Sequence, residues 1–141
     1  MAYYLEGARV LLEEKIFKYK KSLNFYIESE EFTGTIEGLL FLITNSTSVG
    51  GFKKMAPLAD ISDGFLDVLI FKEIRISDVP ELFASLMGGR HVDHNKVMYL
   101  KTKNIKISSD ENLTIDVDGE KASTLPMTFK VLENKLKIIV P

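Results

Sequence analysis

The stretch Asp63-Gly64-Phe65-Leu66-Asp67-Val68-Leu69-Ile70-Phe71 decides the fold class. Asp-Gly supplies a turn, and the run after it is apolar on both faces apart from Asp67, which reads as a strand buried on two sides. Alternation puts Phe65, Asp67, Leu69 and Phe71 on one face. An aspartate among three apolar side chains needs a partner or a place at the wet end of the strand.

Working outward, Leu39 to Ile43 is also apolar on both faces and is expected to be an interior strand. Leu23, Phe25 and Ile27 alternate with Asn24, Tyr26 and Glu28, the period of a half-buried strand. Further strands are expected from Val97 to Leu100, Asn104 to Ile107, Leu113 to Val117, Met127 to Leu132 and Leu136 to Val140. Between them, Val79, Leu82, Phe83 and Leu86 follow helical spacing from Ser77 to Met87. Asp78 with Glu81 resembles a capping box, Pro80 suits a first turn, and Gly88-Gly89 supplies the stop. Tyr4, Ala8, Leu11 and Leu12 share one face of another expected helix. Many short strands between turn signals predict a mainly β chain, a β-sandwich or flattened barrel carrying one or two peripheral helices.

At 141 residues and 45% hydrophobic content, residues 1–141 fit a single domain with its own core. The 18 basic and 20 acidic residues give a net charge of -2 with neither sign gathered in a block, which argues against nucleic acid as a partner. The absence of cysteine excludes a disulfide framework, a thiolate zinc site and a cysteine nucleophile, and suits a reducing cytoplasm. No apolar run approaches the ~20 residues that span a bilayer. Glu6, Arg9, Glu13 and Glu14 interrupt any secretory signal.

Polar chemistry collects in three glycine-punctuated segments at strand ends: Asn45 to Gly51, Ala56 to Asp67 and Asp116 to Glu120. Gly50-Gly51 permits a tight turn or close approach to a ligand, but no lysine-serine or lysine-threonine pair follows as in a P-loop. Asp60, Asp63 and Asp67 are oxygen donors of the kind Mg²⁺ takes, without the spacing of a calcium-binding hand. Asp118-Gly119 suits a type I′ hairpin turn. Leu113, Ile115 and Val117 then face one way and Thr114, Asp116 and Asp118 the other, with Glu120 able to join the acidic face. Carboxylates at such a tip suit a base, a cation site or plain solvation, and the residues alone do not choose. His91 and His94, with Asp93 nearby, fall short of a zinc ligand set and read as surface polarity; Lys53-Lys54 reads as a solvated strand edge.

Taken in order, Asn45, Gly50-Gly51, Ala56-Pro57, Ala59, Asp63-Gly64, Leu66-Asp67-Val68, Gly89-Arg90-His91 and Asp118-Gly119-Glu120 resemble the C-terminal domain of the bacterial diacylglycerol kinase type of lipid kinase. The similarity covers almost the whole chain, and sphingosine and NAD kinases share the wider architecture. The resemblance implies a β-sandwich packed on an N-terminal α/β nucleotide-binding domain, with ATP-dependent phosphorylation of a lipid hydroxyl in the cleft between them. Glu120 matches the general base, and Asp118 beside it would orient the site. Asp63 matches the carboxylate of a Mg²⁺ site to which two backbone carbonyls contribute, by position those of Asp60 and Phe65. Gly50 and Gly51 would let the backbone approach the nucleotide.

The family's Gly-Gly-Asp-Gly-Thr nucleotide loop has no match in this chain, so ATP would be bound mainly by a domain that the chain lacks. Ser62 stands where many relatives carry a second aspartate, and Phe52 where a third glycine often follows. The expected partners are a lipid such as diacylglycerol, a nucleotide-binding domain or chain, the inner face of the membrane through peripheral contact, and a second copy through exposed apolar surface. The competing reading is a non-catalytic β-sandwich that binds lipid or protein.

Overall fold

The longest strand builds two layers. In the computed structural model, which describes residues 22–133 and 135, the elements run β1 (Leu23–Ser29), β2 (Thr33–Thr44), β3 (Leu66–Lys72), α1 (Val79–Gly88), β4 (Val97–Thr102), β5 (Asn104–Ser109), β6 (Thr114–Val117), β7 (Glu120–Thr124) and β8 (Met127–Lys130). Six strands form one sheet in the order β4-β3-β2-β1-β5-β8, and β6-β7 pair separately. The first half of β2 pairs with β1, from Thr33 opposite Glu28 to Gly38 opposite Leu23. The second half pairs with β3, from Gly38 opposite Lys72 to Thr44 opposite Asp67, with an irregularity between Gly38 and Leu40.

A flat sheet in this order would hold β4 and β5 four inter-strand spacings apart, roughly 19 Å. Lys103 alone joins them, and two Cα steps reach no more than ~7 Å. The sheet must therefore fold over at the irregularity in β2, giving one layer of β5, β8, β1 and the first half of β2, and another of β3, β4 and its second half. Such corners are where strands pass between packed sheets. A Cβ on Gly38 would meet the Phe71 carbonyl oxygen at 2.8 Å and Ile70 Cγ2 at 3.3 Å, so the corner closes only with glycine there. Among the described residues the outer edges are not laddered together, so the result is a sandwich and not a closed barrel.

Between the layers lie Phe25, Ile27, Ile36, Val68, Ile70, Leu100, Ile105 and Ile107, with Phe41 edge-on to Phe25 at 5.3 Å between centroids. On the outer face of β3, Leu69 and Phe71 pack with Val97, with Leu82 of α1 and with Ala56 of the β2–β3 loop. Thus β3 is buried on both sides, as its composition predicts, because helix and sheet each cover one face.

The helix ends as expected: Gly89 adopts φ 71°, and the N–H groups of Gly89 and Arg90 donate to the Leu86 and Ser85 carbonyls. Its start differs. Asp78 makes no side-chain cap and instead accepts from Arg75 N–H at 3.0 Å, because a short 3₁₀ turn, Ile76–Asp78, precedes the helix. Glu81 points to His94, 3.7 Å away. The expected helix around Tyr4 to Leu12 and the strand from Leu136 to Val140 lie outside the described residues.

Candidate functional site

The loop between β2 and β3 carries two of the three glycine-punctuated segments. Val49 and Phe52 exchange backbone hydrogen bonds of 3.1 and 2.9 Å across Gly50 (φ 56°) and Gly51 (φ 86°), a tight turn whose two central positions favour glycine. A Cβ added at Gly50 would meet no atom of the described residues within 4 Å. Farther on, the loop is tied to α1's end: His91 Nε2 donates to the Met55 carbonyl at 2.7 Å. His91 is fully buried, which corrects its reading as surface polarity. Burial pushes its imidazole below the ordinary value, against the opposing pull of the Met55 and Ser85 carbonyls.

The loop then delivers its carboxylates to the open end of β3 and β4. Asp60 Oδ1 accepts from the Ser62 N–H (2.8 Å) and hydroxyl (2.6 Å), closing its own turn, and these bonds hold its carboxyl below the usual range. Asp63 Oδ1 accepts from Phe65 N–H at 2.9 Å, while Oδ2 takes a hydrogen bond from the Lys101 ammonium. Lys101 and the Phe65 amide together lower its pKa. Gly64 (φ 75°) makes the turn between them. Lys103 lies 5.4 Å over the Phe65 ring and pairs with Glu133 at 2.7 Å, bracing the same turn.

Asp67 is 0% exposed, and its neighbours follow from register. It pairs with Lys101 across the ladder, and Tyr99 lies on the same face two pairs farther along. The Tyr99 hydroxyl donates to Asp67 Oδ1, and Lys101 Nζ stands 3.7 Å from the same oxygen. Among the described residues, Oδ2 is buried without a hydrogen-bond partner. Burial pushes the Asp67 carboxyl above its ordinary value, against the pull of Tyr99 and Lys101; Tyr99 is raised in turn by burial and by Asp67. Lys101 is raised first by its bond to Asp63.

The third segment is built differently. Asp118 (φ 53°) and Gly119 (φ 87°) form the expected two-residue turn, and Asp116 Oδ1 accepts from Gly119 N–H at 2.8 Å. Asp116 pairs with Lys121 and Val117 with Glu120. Paired residues share a face, so Glu120 goes with Val117 and not with the Asp116 face, a correction to the expected acidic cluster. Both Asp118 and Glu120 are exposed.

Asp60, Asp63 and Phe65 are therefore brought together in one loop, with Gly50-Gly51 at a separate turn of it. Among the described residues, no hydrogen bond or ion pair links the Asp118-Glu120 hairpin to Asp63. Nor does any group of three or more His, Asp or Glu converge as a ready metal cage there. In kind the donors fit Mg²⁺, being hard oxygens with a buried, unpartnered carboxylate oxygen at Asp67, yet Asp63 is already engaged by Lys101. Sequence reading missed Tyr99 and Lys101. Their signal is the i, i+2 pair Tyr99 and Lys101 alternating with Met98 and Leu100 in a strand-like run.

Residues 5–140 match the family of the YegS C-terminal NAD kinase beta sandwich-like domain. The chain belongs to this family. It is 32% identical over 140 residues to a diacylglycerol kinase of Staphylococcus epidermidis, covering 99% of this chain and 42% of that one. To a diacylglycerol kinase of Bacillus subtilis it is 28% identical over 141 residues, covering 100% and 45%. A crystal structure of a diacylglycerol kinase from Bacillus anthracis superposes with a TM-score of 0.64 at 23% identity, over 86% of this chain and 46% of that one, a likeness of fold. The chain spans less than half the length of these relatives. None of the helices among the described residues is long and apolar enough to cross a membrane.

Proposed function

We propose that this domain is the C-terminal part of an ATP-dependent lipid kinase acting on a lipid hydroxyl such as that of diacylglycerol. The observation that carries the reading is similarity to a diacylglycerol kinase at 32% identity across 99% of the chain, and the exposed Asp118-Gly119-Glu120 hairpin offers the carboxylate such chemistry needs. Glu120 acts as general base: its carboxylate takes the hydroxyl proton as the lipid oxygen attacks the γ-phosphorus of ATP, and ADP leaves. Asp118 fixes the turn that presents Glu120. Gly50, with Gly51 beside it in the same turn, would let a nucleotide phosphate approach the backbone, while most of the ATP contacts come from a nucleotide-binding domain beyond this chain. Asp63, with the carbonyls of Asp60 and Phe65, would hold Mg²⁺, which supplies neutralisation of phosphate charge when bound. Work at a lipid surface implies peripheral contact with the membrane's inner face.

The test is phosphate transfer from labelled ATP to diacylglycerol micelles, with the chain alone and with a matching nucleotide-binding domain added. Activity is expected only with the added domain, and Glu120→Gln should lower it by about 10²–10⁴-fold, the usual worth of a general base. An unchanged rate removes Glu120 from the mechanism. No transfer in either arrangement favours a lipid- or protein-binding module.

A further inference from the structure

One ammonium serves two carboxylates at the open end of β3 and β4. Lys101 Nζ bonds Asp63 Oδ2 and stands 3.7 Å from Asp67 Oδ1. The cluster thus keeps a net negative charge, and Asp67 Oδ2 remains an acceptor with no donor, although the residue is 0% exposed. Asp60 adds further negative charge from the same loop. A lysine ammonium is a compact point charge with three donors, so it replaces a metal ion in charge but not in number of ligands. A divalent cation at Asp63 and the ammonium now on it would crowd two like charges onto one carboxylate.

We infer that Lys101 is the built-in counter-cation of this site, and that a divalent metal binds at Asp63 only in exchange for it. The ammonium would give up Asp63 Oδ2 to a metal, whose second charge would offset the negative charge that one ammonium leaves uncompensated among Asp60, Asp63 and Asp67. This rests on the reading of Asp63 as a metal ligand and is independent of the acceptor lipid. Lys103 does not compete for the place, being paired with Glu133.

The test is binding of Mg²⁺ and Mn²⁺ to the chain at constant ionic strength, by calorimetry and by Mn²⁺ spin resonance. Lys101→Met is expected to bind at least about tenfold more tightly than the wild type, the scale of one charge-assisted hydrogen bond released from competition. Lys101→Arg, which keeps a cation on Asp63, should return the affinity to within about threefold of the wild type. In the wild type, metal saturation should shift the Lys101 ¹⁵Nζ resonance, a measurement that needs no variant to fold.

Equal affinity in wild type and Lys101→Met, abolished by Asp63→Asn, would overturn the exchange while leaving Asp63 a metal ligand. A Lys101 resonance unmoved at metal saturation would overturn it too. Absence of binding in all three lysine, methionine and arginine forms would overturn both the exchange and the metal reading, leaving the phosphate-transfer assay to judge the kinase reading by itself.

Discussion

The two carboxylate groups of this domain, Asp63 with Asp67 and Asp118 with Glu120, both sit beside an Asp-Gly turn yet have opposite surroundings. Asp67 is fully buried and reaches Tyr99 and Lys101 across a ladder, whereas Glu120 begins a strand exposed along its whole length. The difference follows from what backs each turn. The Asp63-Gly64 turn feeds β3, which has layers on both faces, while the Asp118-Gly119 turn joins two strands of a separate ribbon whose inward contact comes from Leu113 and Ile115. The first group is held by partners within its own chain; the second presents a carboxylate outward.

The sharpest way to break that contrast is to strip the buried group of its partner. Tyr99→Phe removes the hydroxyl that Asp67 Oδ1 accepts, and with Oδ2 already unpartnered the carboxylate keeps only Lys101. Loss of about 2 kcal/mol of stability is expected in denaturant unfolding, the usual cost of uncovering a buried charged acceptor. A change below about 0.5 kcal/mol would mean that Asp67 is as well solvated as Glu120 and that the contrast is false.

How much of this was legible beforehand depends on how far each cause reaches along the chain. Strand periods within the described residues, the Gly88-Gly89 stop and the Asp118-Gly119 turn are local, and the structure bears them out. Asp67 was legible as a problem, an acid among apolar neighbours, but not its answer, because Tyr99 and Lys101 become neighbours only through the β3–β4 register. Gly38 escaped notice altogether: its reason is a carbonyl from Phe71, thirty-three positions away by number, and no local pattern marks a sheet corner. Glu120 was placed on the wrong face because a two-residue turn pairs the residues that flank it, which overrides alternation counted straight through the turn.

Acid unfolding sharpens the comparison further. Lys101 and the Phe65 amide lower the Asp63 pKa, so its contribution to stability is fully present above the unfolded-state value, about 3.9, and is lost as pH falls through the lower folded-state value. The stability gap between wild type and Asp63→Asn should therefore be widest near neutral pH and narrow progressively below about pH 4. Asp67, raised by burial, has the opposite sign and feels both Asp63 and the shared Lys101, so the gap reports Asp63 together with its coupling to Asp67. A gap that stays constant down to pH 2 would mean that the Lys101 contact contributes nothing.

At Asp118 and Glu120 the hairpin should be indifferent to charge and sensitive only to backbone shape, the turn's one side-chain hydrogen bond coming from Asp116. Glu120 is exposed, and its place at the head of β7 relies on the pairing with Val117 and not on its carboxylate. Glu120→Gln should therefore leave unfolding within about 0.5 kcal/mol of the wild type, even though it is the substitution expected to cost most in phosphate transfer. Asp118 occupies φ 53°, which aspartate tolerates and a β-branched residue does not, so Asp118→Val should cost about 1 kcal/mol through the turn alone. Asp118→Gly at the same position should keep the stability, because what the turn demands there is a left-handed backbone and not a negative charge. If Glu120→Gln instead destabilises as much as Tyr99→Phe, the outward carboxylate has a partner within this chain, and the division between an internally held group and an offered one collapses.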